Sequence, residues 1–152
     1  MDTVSVENYN FTENDLTSVE QIIFYNYWLI IKGERVMPKR TDFDPMQIPK
    51  VLPYILMEDV LHDPLKFKIR LIGSKLKIPI TSKEKTLDQF PNMKSVVGLL
   101  TRMADQKKPC FYKSKSHWSQ NSYEEYTSLI LPFSDENEKI NIIMGCQSML
   151  ML

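Results

Sequence analysis

Apolar residues in the first quarter of the chain predict one helix, over residues 17–32. The segment opens with a capping box, Thr17 and Glu20, and stops before Gly33, a residue favoured just after a helix. Its apolar positions lie on two faces, which is typical of a helix that is deeply buried or shared with a partner. In a chain of this size we favour sharing and expect a homodimer. The expected contact residues are Phe24, Tyr27, Trp28 and Ile31.

Alternating apolar and polar residues predict two groups of strands that flank a second helix, over residues 93–106. The predicted strands are 54–62, 66–74, 110–118, 123–132 and 139–148, separated by turn-rich connectors. In the second strand Phe67, Ile69 and Leu71 share one face. This order predicts an α+β fold, an antiparallel sheet with helices on one face and an N-terminal helix. Residues 15–152 are expected to form one domain, and the polar residues 1–14 a flexible arm.

Composition narrows the possible functions without naming one. The 152 residues include 19 basic and 19 acidic side chains, and this neutral balance makes nucleic-acid binding unlikely. The four glycines lack the spacing of a phosphate-binding loop, and the two cysteines and two histidines lack the spacing of a zinc site. No segment has the pattern of a secretory signal or a membrane span. We therefore expect a cytoplasmic protein with no membrane contact and no metal site.

Six short motifs are spread along the chain. They are Tyr27-Trp28, Pro38-Lys39-Arg40-Thr41-Asp42-Phe43-Asp44-Pro45, Leu52-Pro53, Glu58-Asp59-Val60, Arg70-Leu71-Ile72-Gly73 and Leu131-Pro132-Phe133. Over residues 19–148 the sequence resembles a PAS domain, most closely the small single-domain PAS proteins of alphaproteobacteria. That resemblance implies a five-stranded antiparallel sheet of strand order 2-1-5-4-3. One departure is Ser82, which stands where the subfamily has a turn glycine, so ligand properties are not carried over.

The resemblance also implies a place for a ligand, between the sheet and the helix at 93–106. The candidate pocket residues are Phe67, Ile69, Leu71, Leu100, Met103, Tyr126 and Leu129, which could equally fill a closed core. PAS domains that hold haem usually offer a histidine from the helical middle, and residues 80–108 contain none. Cys110 lacks the helical motif of the flavin-binding photosensors. We therefore expect no haem or flavin cofactor and leave a small ligand open.

Two groups of charged residues allow more than one interpretation. Arg40, Asp42, Asp44 and Arg70 are predicted to form a structural ion-pair cluster, with an anion site as the alternative. Segment 66–85 is basic, which suits either a solvated sheet edge or a phosphorylated ligand. Its basic residues are Lys66, Lys68, Arg70, Lys75, Lys77, Lys83 and Lys85, against Glu84.

Candidate catalytic residues are scarce. Glu58 and Asp59 are adjacent, so on a strand they point to opposite faces and cannot act as a carboxylate pair. His62 and His117 are expected to be structural, and no nucleophile-elbow motif is present.

The leading hypothesis is therefore a non-enzymatic sensor or adaptor that acts through homodimerisation and contact with an unidentified signalling protein. The alternatives are a nucleotide-second-messenger effector that uses segment 66–85 and a small isomerase or dehydratase.

Overall fold

The computed structural model describes residues 3–76, 78, 83–91, 93–116 and 124–150. His117, Lys77 and Ser82, singled out in the sequence, lie outside the described residues. The helices are α1 (Val19–Lys32) and α2 (Lys94–Gln106), and the strands are β1 (Thr3–Asn8), β2 (Ile55–Leu61), β3 (Lys66–Ile72), β4 (Cys110–Ser116), β5 (Glu124–Ser134) and β6 (Ile140–Leu150). Neither of these helices is both long and apolar enough to cross a bilayer.

The strands form one antiparallel sheet with the order β1-β4-β5-β6-β2-β3. The expected count of five strands is wrong, since the described sheet has six, but the five expected strands keep the relative order 2-1-5-4-3, which here is β3-β2-β6-β5-β4. The combination of helices with an antiparallel sheet is confirmed. The additional strand is β1, which pairs with β4 where a flexible arm was expected. Glu7 of β1 also forms an ion pair with Arg102 of α2. Nε of Arg102 lies 3.1 and 3.0 Å from the two carboxylate oxygens of Glu7, and this contact fixes the strand against the helix.

The two helices lie on opposite faces of the sheet. On the face that we call the α1 face, Gln21 and Thr17 of the N-terminal segment contact Thr127 of β5. On the other, the α2 face, Leu100 of α2 lies beside Tyr126 of the same strand. Because successive residues of a strand point to opposite faces, Tyr126 faces the α2 layer and Thr127 faces the α1 layer. The sheet is thus buried on both sides.

Helix α1 begins at Val19, and its N-cap lies one residue later than predicted. Its N-cap is Ser18, whose hydroxyl accepts a hydrogen bond from the backbone N–H of Gln21 at 3.1 Å. The predicted capping box of Thr17 and Glu20 is therefore wrong, since the Thr17 hydroxyl lies 2.6 Å from that of Thr127. Gly33 ends the helix as predicted, at a φ of 57° that favours glycine.

The face of α1 that was expected to contact a partner packs instead on the sheet. Phe24 and Trp28 are 0% and 2% exposed, and Trp28 donates a hydrogen bond from Nε1 to the carbonyl of Pro132 at 2.9 Å. Tyr27 accepts one from the backbone N–H of Asp44, and Ile31 packs against the core. Phe24 and Trp28 are therefore wrong as dimer-contact residues, because they are buried in their own domain, while for the half-buried Tyr27 and Ile31 the contact stays a prediction.

A bulge in β3 changes which side chains face the core. Met57 and Glu58 of β2 lie opposite Leu71 and Ile69, so Arg70 is an extra residue in the ladder. Beyond this residue the alternation shifts, and Leu71 is 44% exposed while Ile69 is buried. The prediction that Leu71 faces a pocket is therefore wrong.

The start of β2 and the end of β3 approach each other closely at Gly73. A Cβ at this position would lie 2.3 Å from the carbonyl oxygen of Pro53, and the Gly73 N–H donates to Ile55 at 2.7 Å. Only glycine allows this approach, which accounts for the glycine of the Arg70–Gly73 motif.

Replacing Gly73 by alanine should therefore destabilise the fold by about 1–3 kcal/mol, because the backbone must shift to relieve the overlap. The matched control is Gly98→Ala in α2, where the new methyl meets only the end of the Arg102 side chain at 3.2 Å. Higher helix propensity should make this control neutral or stabilising by up to about 1 kcal/mol. Urea unfolding of the two variants measures the difference, and equal stabilities would contradict the close approach.

Candidate functional site

A small cavity lies between α2 and the sheet, with room for about 20 Å³, the space of one water molecule. It is lined by Leu56, Glu58, Ile69, Ile78, Leu87, Met93, Val96, Leu100, Tyr112, Tyr126 and Gln147. Three of the predicted pocket residues, Ile69, Leu100 and Tyr126, are among them. The structure thus has a cavity at the predicted place, and most of the space around it is filled by core side chains.

The other predicted pocket residues lie elsewhere. Phe67 and Met103 are buried in the core without lining the cavity. Leu129 pairs directly with Cys146, whose carbonyl oxygen binds Gln21 of α1, and its register places it on the α1 face. Assigning Leu129 to the pocket is therefore wrong, because the strand alternation turns it toward the opposite layer.

Glu58 is the chemically distinctive residue of this cavity. It lies opposite Ile69 on β3 and Ile143 on β6, and its side chain points to the α2 face. The residue is only 4% exposed, and its Oε2 has no hydrogen-bond partner. Burial raises the pKa of this carboxyl to about 8, because an ion is poorly solvated there. At neutral pH Glu58 is therefore a neutral acid that can donate a hydrogen bond.

Sequence reasoning missed Glu58 although the signal was present. The alternation that excludes a Glu58–Asp59 pair also requires one of the two carboxyls to face the core. The ion-pair partner of Asp59 shows which carboxyl faces outward. Asp59 binds Arg70 at 3.0 Å on the exposed side of the hairpin, so Glu58 is the one that faces the core.

Two tyrosines complete the polar part of the cavity. The rings of Tyr112 on β4 and Tyr126 on β5 pack edge to face, with their centroids 6.1 Å apart. Burial holds the pKa of Tyr112 well above its usual value, and Tyr126 and Glu58 add to this effect. Tyr112 therefore stays protonated across the physiological range.

A second pocket adjoins the cavity at the surface. It has a volume of about 250 Å³ and is lined by Ser18, Glu20, Tyr54, Lys75, Leu76, Gln147 and Ser148. Gln147 lines both this pocket and the Glu58 cavity. Its side chain is half-buried, at the point where β6 extends beyond its pairing with β2.

The predicted ion-pair cluster does not form. Arg70 pairs with Asp59, and Asp42 pairs with Arg35 at 2.9 Å. Asp44 instead caps a short 3-10 turn by accepting from the Met46 N–H at 3.0 Å. The prediction that these groups bind one another is wrong, because each carboxylate is satisfied by a nearer donor.

Arg40 lies over the ring of Phe43, 5.5 Å from its centroid. Phe43 packs between Tyr27 and Phe133, with ring centroids 5.7 and 5.9 Å away. The eight-residue motif that contains it therefore fixes α1 to the end of β5, which is a structural role.

The basic segment 66–85 is partly neutralised in the described residues. Lys66 pairs with Asp88 at 2.6 Å, Arg70 pairs with Asp59, and Lys85 lies over the Phe90 ring. Lys75 is the basic residue of this segment that lines the surface pocket. The cations therefore serve several separate contacts.

Both cysteines are free and buried. Burial raises the pKa of Cys110 and of Cys146 to about 12, so neither is a reactive thiolate at neutral pH. Among the residues that the structure describes, no three His, Cys, Asp or Glu side chains are grouped as a metal site would require.

A profile of the PAS domain matches residues 16–148, which is most of the chain. The chain belongs to the PAS domain family. No curated protein and no solved structure matches it. PAS domains are generally sensory, non-catalytic modules, and membership of the family suggests a sensory or signalling role for this chain. The likeness to the alphaproteobacterial subfamily stays a prediction.

The protonation of Glu58 should make the stability of this PAS domain depend on pH. Its pKa is about 8 in the folded chain and near the ordinary 4.5 in the unfolded chain. Between these values the folded state binds the additional proton, so stability falls as pH rises, by about 1.4 kcal/mol per pH unit for this group. Above the folded pKa no further loss occurs.

Urea unfolding of the wild type and of Glu58→Gln, from about pH 5 to about pH 9, tests this expectation. The amide cannot ionise, so the difference in unfolding free energy between the two proteins should move in favour of the variant up to about pH 8 and then level off. A difference that does not vary with pH would mean that Glu58 is not protonated in the folded state.

Proposed function

We propose that this PAS domain is a non-enzymatic sensory adaptor in which the α2-face cavity receives the signal and α1 transmits it. One observation carries the proposal: β5 and β6 touch both layers through adjacent residues. Tyr126 lines the cavity while Thr127 binds α1, and Gln147 lines the cavity while the carbonyl of Cys146 binds α1. A shift of either strand that accommodates a change in the cavity therefore moves the groups that hold α1.

Directional bonds hold α1 to the sheet. Gln21, which is fully buried, donates from Nε2 to the Thr127 hydroxyl and to the Cys146 carbonyl, both at 3.1 Å. Trp28 adds its bond to Pro132 two turns further along the helix. Buried polar groups tolerate little misalignment, because an unmade bond costs about 1–3 kcal/mol. These contacts support a defined position of α1 for each arrangement of the strands.

The solvent face of α1 supports the output step. Val19 and Ile30 are 50% and 76% exposed, Leu29 is also exposed, and the half-buried Ile23 lies between them. Positions 19, 23, 26 and 30 follow the spacing of a coiled-coil seam, which is a surface that a second helix can cover. We call these four positions the α1 stripe.

We propose a second copy of the chain as the occupant of the α1 stripe. Asn26 is exposed at its centre, where a two-fold axis would bring it against Asn26 of the second copy. Self-complementarity of this kind favours a homodimer. The cytoplasmic location and the unidentified downstream signalling protein belong to the same proposal.

Ile30→Glu should convert the dimer to a folded monomer, because a charge at the α1 stripe cannot be buried without a partner. The matched control is Leu71→Glu, which places the same charge at an exposed apolar residue on the distant strand β3. Light scattering after size exclusion gives the mass, and thermal unfolding shows that both variants are folded.

Two results would reject the dimer: a wild-type chain that is monomeric at all concentrations, or an Ile30→Glu protein that remains dimeric. Trp28→Glu tests the buried face of α1 and distinguishes its role from that of the α1 stripe. It should lose cooperative unfolding, since it places a charge in the core and leaves the Pro132 carbonyl without its donor.

A further inference from the structure

One carboxyl oxygen of Glu58, Oε2, is buried and has no hydrogen-bond partner among the described residues. A neutral carboxyl offers one O–H. Buried polar groups without a partner cost free energy and are uncommon in folded proteins. The protonated carboxyl of Glu58 can therefore donate a hydrogen bond to a molecule in the cavity.

The charge and polarity of the side chains that line the cavity indicate which kind of acceptor molecule could bind beside Glu58. The described lining residues from α2 and the segment before it are apolar, namely Met93, Val96, Leu100 and Leu87, and β3 adds Ile69. The other titratable groups on the described lining are Tyr112 and Tyr126. None of the described residues that line the cavity is basic, so an anion would have no counter-charge among them. An uncharged, largely apolar molecule fits these walls.

Gln147 lines both the surface pocket and the inner cavity and is the candidate entrance for a ligand. The inner cavity alone holds about one water molecule, whereas the adjoining pocket provides about 250 Å³. Gln147 is half-buried and lines both spaces, so rotation of its side chain could connect them, and the charged residues Glu20 and Lys75 line the outer one. Met93 at the inner wall is unbranched and adapts readily to a new neighbour.

We propose that Glu58 is the hydrogen-bond donor of an internal binding site for a small uncharged molecule with a carbonyl-type oxygen at one end of an apolar body, and that Gln147 stands at its entrance. This site would supply the input of the proposed sensory function. It can be tested by itself, because binding at Glu58 requires neither the α1 stripe nor a second copy.

Methyl propyl ketone is a suitable probe, since it carries one acceptor oxygen on an apolar chain. Binding is followed through the carbon-13 methyl resonance of Met93, assigned by its loss in Met93→Leu. At about pH 6.5 the wild type should show saturable binding, because Glu58 is then protonated. Glu58→Gln keeps a donor and should bind similarly, whereas Glu58→Leu has none and should bind roughly tenfold more weakly.

The same titration at about pH 9.5 separates the donor from the shape of the cavity. Most Glu58 is then ionised, so wild-type affinity should fall by about tenfold or more, in proportion to the neutral fraction. Glu58→Gln should keep its affinity at both pH values. This control also covers any titration of the tyrosines, which both proteins share.

Gln147→Ala tests the entrance. Removing this side chain should leave the pH dependence in place and speed the exchange of the ketone. Absence of saturable binding to the wild type, wild-type affinity in Glu58→Leu, or a wild-type affinity that does not change with pH would each overturn the proposal. A monomeric wild type that binds the ketone in the expected way would reject the α1 stripe alone.

Discussion

The pairing of β5 with β6 is the interaction on which both layers of this protein depend. The two strands are paired from Glu125 and Leu150 to Ser134 and Ile140, and further strands flank them on both sides. A central strand covered on both faces must present an apolar or satisfied side chain at every position. Residues 129–131 meet this demand as an uninterrupted apolar run, each at most 2% exposed.

Polar residues precede that run in β5, and one of them fixes the position of α1. Thr127 is buried on the α1 face, and its hydroxyl meets both Gln21 and Thr17. Apolar contact alone is non-directional, so a helix with apolar residues on several sides could pack in more than one rotation. The Gln21 bonds fix one rotation, and they leave Ile30 rather than Phe24 in solvent. The same bonds make α1 responsive to the positions of two strands.

Much of the fold could be predicted from the sequence because each element has its own period. The alternation of β3 and the helical spacing of α2 are local signals, and the structure contains both elements. The predictions are wrong where a contact between residues that are distant in the sequence determines the local structure. The edge strand β1 depends on pairing with β4, the outward turn of Leu71 depends on a bulge at Arg70, and the buried face of α1 depends on the shape of the sheet. Apolar periodicity carries none of this information.

Glu58 shows the same limit at the candidate site. Alternation requires that one member of the Glu58–Asp59 pair face the core, but only the ion pair with Arg70 determines that Asp59 is the exposed one. Leucine at this position would pack in the same apolar surroundings without the cost of burying a polar group. A carboxyl that destabilises the core as pH rises is therefore difficult to explain by stability. The simplest physical reason for it is a hydrogen bond to something other than the protein.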